Sequence, residues 1–161
     1  MSSTVAVCFG ETMFWASDFA LGVLFVRAVE VAEELPPDER APWWGDLVRV
    51  LRVDAVMGSS HAVLLDDFGV QERQALLDWV ARAASRLEEQ GGIAVAEVAS
   101  WDVLDGLTVP LTGGAHIAAG PLVELSQAMA QLVAGTLPPA PEGRHWWYGR
   151  SCGRVLQGGG Q

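Results

Sequence analysis

Asp54 and His61 are the pair of side chains best suited to moving a proton. Both fall on the apolar stripe of one predicted helix, in which Leu47, Leu51, Asp54, Gly58, His61 and Leu65 recur at steps of three and four. A carboxylate that orients an imidazole is a general acid–base arrangement. On a continuous helix their spacing puts them about 10 Å apart along the axis. They then act together only through a ligand, a water or a kink at Gly58. The structural alternative is a buried Asp paired with an arginine and a core His whose hydrogen bonds are satisfied.

Glu11, Trp15 and Asp18 form a second set, at i, i+4 and i+7. A helix would place them on one side, among Phe9, Phe14 and Phe19. A carboxylate desolvated there has a raised pKa and can serve as a general acid or base. Equally, Glu11 can sit at an exposed helix start, and Asp18 can pair with Arg27 or Arg52.

Seven tryptophans in 161 residues supply aromatic surface. Tryptophan is large and amphipathic, and is enriched at pockets and interfaces. The pairs Trp43-Trp44 and Trp146-Trp147 cannot all face one core from a single helix side, so at least one of each should reach a pocket, another segment or another subunit. Trp15, Trp43, Trp44, Trp101, Trp146 and Trp147 are therefore candidate ligand contacts, with His116 and Arg144 as polar partners. Covering the ends of the fold is the plainer role for the same rings.

Other chemistry is poorly supported. All ten basic residues are arginine, so a lysine Schiff base is impossible. The only Glu-x-x-His is Glu142 to His145, in a Pro/Gly-rich segment, and no Cys-x-x-Cys or His-x-x-x-His occurs, so no bound metal is expected. Gly113-Gly114 matches no phosphate-loop pattern. No cofactor is implied. Cys8 and Cys152 read as two free thiols, with a bridge between the chain ends as the alternative.

The net charge is −10. Residues 1–142 hold all 20 acids and seven arginines, a balance of −13, whereas residues 143–161 hold three arginines and no acid. That argues against nucleic acid, which needs clustered cations. Arg144, Arg150 and Arg154 beside Trp146, Trp147 and Tyr148 either bind an anionic aromatic ligand or dock on the acidic body. The apolar run Phe19 to Val26 is far shorter than the roughly 20 residues of a spanning helix, so no membrane association is expected and the cytoplasm is the expected location.

These groups need elements to position them. Helical periodicity runs over about 11–34, ended by Pro36-Pro37, then from Asp38 or Pro42 to a break at Gly58-Ser59-Ser60. It resumes over 70–90, ended by Gly91-Gly92, over 93–105, and from Pro121 to about Ala134. Val5 to Phe9 reads as a lone strand or buried arm. Residues 106–120 carry no helical pattern, and a loop of that length is often functional. Leu35-Pro36-Pro37…Arg40…Trp43-Trp44 is echoed by Leu137-Pro138-Pro139…Arg144…Trp146-Trp147, as two pseudo-symmetric helix–turn units would be.

The expected fold is all-α: a single-domain bundle of about five helices over 1–156, with a Pro/Gly-rich aromatic tail whose last residues, 157–161, are disordered. The expected function is small-molecule binding in an aromatic-lined pocket. Proton transfer by Asp54, His61, Asp18 or Glu11 in a cofactor-free cyclisation, isomerisation or elimination would extend it. The rival is an acidic protein of the immunity or inhibitor type, which masks a basic protein. A third reading is a subunit of a homodimer with no chemistry of its own.

Overall fold

The stretch from Asp18 to Glu33 is apolar on nearly every side, and a helix of that kind has to be enclosed. In the computed structural model, which describes residues 3–158, it forms α1 (Asp18–Glu33). Phe19, Val23, Leu24, Phe25 and Ala28 are fully buried. Ser17 caps its start, the hydroxyl accepting from the Ala20 N–H at 3.4 Å.

The fold is mixed α/β, 52% helix and 21% strand, which overturns the all-α expectation. Two hairpins account for the difference. β1 (Thr4–Phe9) and β2 (Thr12–Ser17) pair antiparallel, with Val5 opposite Ala16 and Val7 opposite Phe14. Glu11 therefore stands in the turn of a hairpin, not on a helix with Trp15 and Asp18. Across so short a window, periods of 2 and 3.6 select overlapping positions. Core burial of Phe14 and Ala16, with Trp15 facing outward, decides for the strand. β6 (Arg144–Arg150) and β7 (Gly153–Gly158) form the second hairpin where a loose tail was expected. Gln157 and Gly158 close β7, and residues 159–161 lie outside the described ones.

The main sheet has five strands in the order β3-β1-β2-β6-β7, β3 being the two residues Val63–Leu64. β6 runs parallel to β2, Trp15 opposite Trp147, so the N- and C-terminal hairpins form one surface. Val5, Val7, Phe14, Ala16 and Tyr148 turn to the helices and are buried. The Tyr148 ring meets Phe14 edge-on, centroids 5.0 Å apart.

α2 (Trp44–Met57) and α3 (Val70–Gln90) flank α1, and α5 (Ala119–Ala134) packs on both the sheet and α3. The expected helix over 93–105 shrinks to β4 (Ile93–Ala94) and α4 (Val95–Ala99). β4 pairs with β5 (His116–Ile117). The echoed Leu-Pro-Pro/Trp-Trp segments do not form equivalent units: the first leads into α2, the second into β6. Neighbours decide between them, since the second copy lies beside an open β2 edge.

The last side of α1 is covered by the irregular segment between α4 and β5. Val109, 1% exposed, drops into a notch at Gly22, where an added Cβ would lie 2.4 Å from its Cγ1 and 3.0 Å from the Ala55 carbonyl oxygen. Pro110 lies over Gly58, whose Cβ would come within 2.7 Å of the Pro110 ring and 3.4 Å of Asp18 Oδ2. The segment is thus a strap seated in two glycine notches.

Gly22→Ala should lower unfolding free energy by about 1–3 kcal/mol through overpacking, outweighing the gain in helix propensity. Urea titration measures it. Unchanged or higher stability would show that the strap is not seated on α1.

Candidate functional site

α2 ends at Met57, and Gly58 adopts φ +56°, a conformation open to glycine and strained for other residues. The chain reverses there through a short 3-10 turn, Gly58–Ser60, and returns His61 to the helix it has just left. His61 Nε2 lies 2.6 Å from Asp54 Oδ1. The pair therefore makes the direct contact that a continuous helix forbids. Asp54's side chain is 11% exposed and His61's 38%. Burial pushes the Asp54 carboxyl above its ordinary value; the hydrogen bond and charge of His61 pull it back without cancelling the rise.

Asp18 is buried at the start of α1, 4% exposed, with its Oδ1 accepting from the Ser3 N–H. Its Oδ2 faces Gly58. Glu11 is exposed at the hairpin tip, where it shares a shallow cleft of about 320 Å³ with Arg144 and Trp146. The four acid–base candidates are thus divided: Asp54 and His61 touch, Asp18 faces the turn between them, and Glu11 stands apart. Among the described residues, no three His, Cys, Asp or Glu side chains converge as a metal site would require. Cys8 and Cys152 are both free. No helix among the described residues is long and apolar enough to cross a membrane.

Most of the candidate tryptophans carry a guanidinium on one face. Arg40 lies 3.9 Å from the Trp44 ring centroid, Arg150 3.7 Å from Trp147, Arg154 3.9 Å from Trp146 and Arg27 5.0 Å from Trp101. Two indoles are also tied down by hydrogen bonds, Trp44 Nε1 to the Ala32 carbonyl and Trp146 Nε1 to the Pro138 carbonyl. Arg40 in turn donates to the carbonyls of Leu35 and Glu33, closing the C-terminal end of α1. Trp43, Trp44 and Trp146 thus pack against the core as structural rings, and Trp15 pairs across the sheet with Trp147. Only Trp101, Trp146 and Trp147 line a cavity described here.

The strap borders two cavities. One is a groove of about 460 Å³ between α1, α2 and residues 101–105. Val26, Val29, Val103 and Leu104 supply apolar walls, with Trp101 beside them. Glu30, Glu33, Asp102 and Asp105 supply acid, and Arg52 the only basic lining residue. Arg27 bridges Glu30 at 2.9 Å and Glu97 at 2.8 Å, and Arg52 meets Glu33 at 3.2 Å. No ion pair among the described residues involves Asp102 or Asp105. Asp102 Oδ1 accepts from the Gly106 N–H at 2.9 Å, and Asp105 takes a positive φ in the two-residue turn Asp105-Gly106. Sequence reasoning marked Trp101 but missed these carboxylates, for which the Asp-Gly turn was the available signal.

The second cavity, about 270 Å³, lies at the far end of the strap and is lined by His116 and Trp147 together with Arg150. The chain matches no family model, no curated protein and no solved structure, so these cavities and the Asp54–His61 contact are what speak for its function.

A carboxyl whose folded pKa is raised contributes stability below its unfolded value and loses it as pH rises through the folded one. Relative to Asp54→Asn, the wild type should therefore lose stability over the pH interval that opens at the ordinary aspartate value, about 4, and runs upward from it. Parallel urea titrations of the two proteins check this. A gain over that interval would reverse the sign assigned to Asp54.

Proposed function

We propose that this chain is a small-molecule-binding protein and that its ligand carries a cationic group seated in the acidic groove. The observation that carries this reading is the uncompensated pair Asp102 and Asp105 on the rim of an apolar groove beside Trp101. Arginines answer Glu30 and Glu33 internally, so the remaining negative charge is available to a ligand. An ammonium or guanidinium placed there gains charge-assisted hydrogen bonds, while its carbon body covers the Val and Leu side chains. A volume of about 460 Å³ suits a metabolite of modest size.

Proton transfer by Asp54 and His61 does not extend this reading, because neither residue lines the groove. Arg52, which does, and Asp54 lie about 200° apart around α2. The groove therefore supports capture more directly than turnover.

The net charge of −10 favours a second reading, in which the same groove receives a basic side chain of a protein partner. One titration separates the two. Trp101 fluorescence and calorimetry would follow agmatine, phenethylamine and an arginine-rich peptide. The first reading expects saturable binding of a small amine, weakened about tenfold or more in Asp102→Asn/Asp105→Asn. Glu72→Gln, on α3, should bind as the wild type does. Binding of the peptide alone would favour the protein partner, and amine binding indifferent to the double variant would remove the groove from the argument.

A further inference from the structure

The second cavity has the opposite electrostatic character. No acidic residue lines its 270 Å³, although the chain as a whole carries 20 acids. Arg150 and His116 supply its basic groups, and Thr112 and Ser151 its hydroxyls. No ion pair among the described residues involves Arg150. Its guanidinium is instead laid on the Trp147 ring at 3.7 Å, which restricts its position without spending its charge. The Trp147 indole Nε1 is buried in the wall and meets no acceptor among the described residues.

The backbone holds these groups in place. Gly149, just before Arg150, packs so closely that an added Cβ would lie 2.7 Å from the Ala20 Cβ and 3.5 Å from the Ser17 Cβ. β6 is thereby brought against the first turn of α1. On the opposite wall, β5 presents His116, whose ring packs over Gly92, 2.9 Å from where a Cβ would stand. Asp18, the acid nearest in sequence to Ser17, is turned to the Ser3 N–H and Gly58 and does not line the cavity.

We infer that this cavity is an oxyanion site for a small organic molecule bearing a phosphate or carboxylate, held by Arg150 and His116 with the hydroxyls of Thr112 and Ser151. A guanidinium presents paired N–H donors that match either oxyanion. An imidazole and hydroxyls can donate to its other oxygens. The small volume limits the organic part to a ring or short chain. This site is separate from the acidic groove, so it stands or falls independently of the cationic-ligand reading.

The test uses the 161-residue chain with inorganic phosphate, phenyl phosphate and benzoate, followed by the indole N–H resonance of Trp147 and by calorimetry. At least one probe should saturate, with a Kd below about 10 mM. Phosphate-containing probes binding ahead of benzoate would assign the phosphate class, and the converse the carboxylate class. Arg150→Gln should weaken binding by about tenfold or more. Ser151→Asp, at an exposed turn where folding is little affected, places a carboxylate at the cavity rim and should abolish binding. Arg40→Gln, stacked on Trp44 elsewhere, should leave it unchanged. No saturation by any probe, or equal binding by the wild type and Ser151→Asp, would overturn the assignment.

Discussion

A helix whose polar residues are confined to one side of its C-terminal half must be covered nearly all round, and α1 imposes that requirement on the rest of this chain. Its buried positions run from Asp18 to Ala32 without leaving a solvent stripe along most of its length. The sheet, α2, α3 and α5 each take part of its surface. What they leave is covered by an irregular strap, and Val109 and Pro110 lie close only because Gly22 and Gly58 have no side chains to obstruct them. Burial of the apolar area drives the closure. The close packing of the interior makes it specific.

That requirement also locates the cavities. The strap has no regular structure, and it leaves a hollow on either side of its Val109–Pro110 seat. The acidic groove opens beside residues 101–105, and the basic cavity beside residues 112–117. Their opposite charge follows from what each end of the strap meets. The C-terminal half of α1 carries Glu30 and Glu33, whereas its N-terminal end meets β6 with Trp147 and Arg150. Two cavities of opposite charge on one short protein thus follow from one segment crossing a charge gradient.

Arginine–tryptophan stacking is the second organising interaction. With no lysine in the chain, every basic group is planar, and guanidinium groups lie over four of the seven tryptophans. Stacking keeps a guanidinium near apolar surface without a carboxylate partner. The C-terminal hairpin, which has no acid of its own, keeps its stacked pairs within itself and is tied to the body by hydrogen bonds: Trp146 Nε1 donates to the Pro138 carbonyl, and Glu124 accepts from the Arg154 backbone N–H.

Local signals determined a substantial part of this protein. The periodicity of Leu76, Val80, Ala84 and Leu87, ended by Gly91, places α3 at Val70–Gln90, and that of Leu122, Leu125, Met129 and Leu132 marks α5. Gly58 was legible as a break, and residues 106–115 as irregular chain; the rest of the expected 106–120 loop instead holds β5 and the start of α5. Trp101, His116 and Trp147 were legible as residues suited to a cavity wall. Only tertiary structure decided that Thr12–Ser17 and Arg144–Arg150 are strands: each has a hairpin partner beside it in sequence, but the local patterns of strand and helix overlap there, and the pairing of β2 with β6 that joins the two hairpins spans the length of the chain. The same holds for the two Trp-Trp segments, nearly alike in sequence and opposite in structure. The Asp54–His61 contact depended on the direction in which the chain leaves Gly58, and the uncompensated Asp102 and Asp105 on which arginines the fold had already committed elsewhere. Periodicity records which face of an element is apolar; it carries no information on the element that covers that face, and here the covering elements create both cavities.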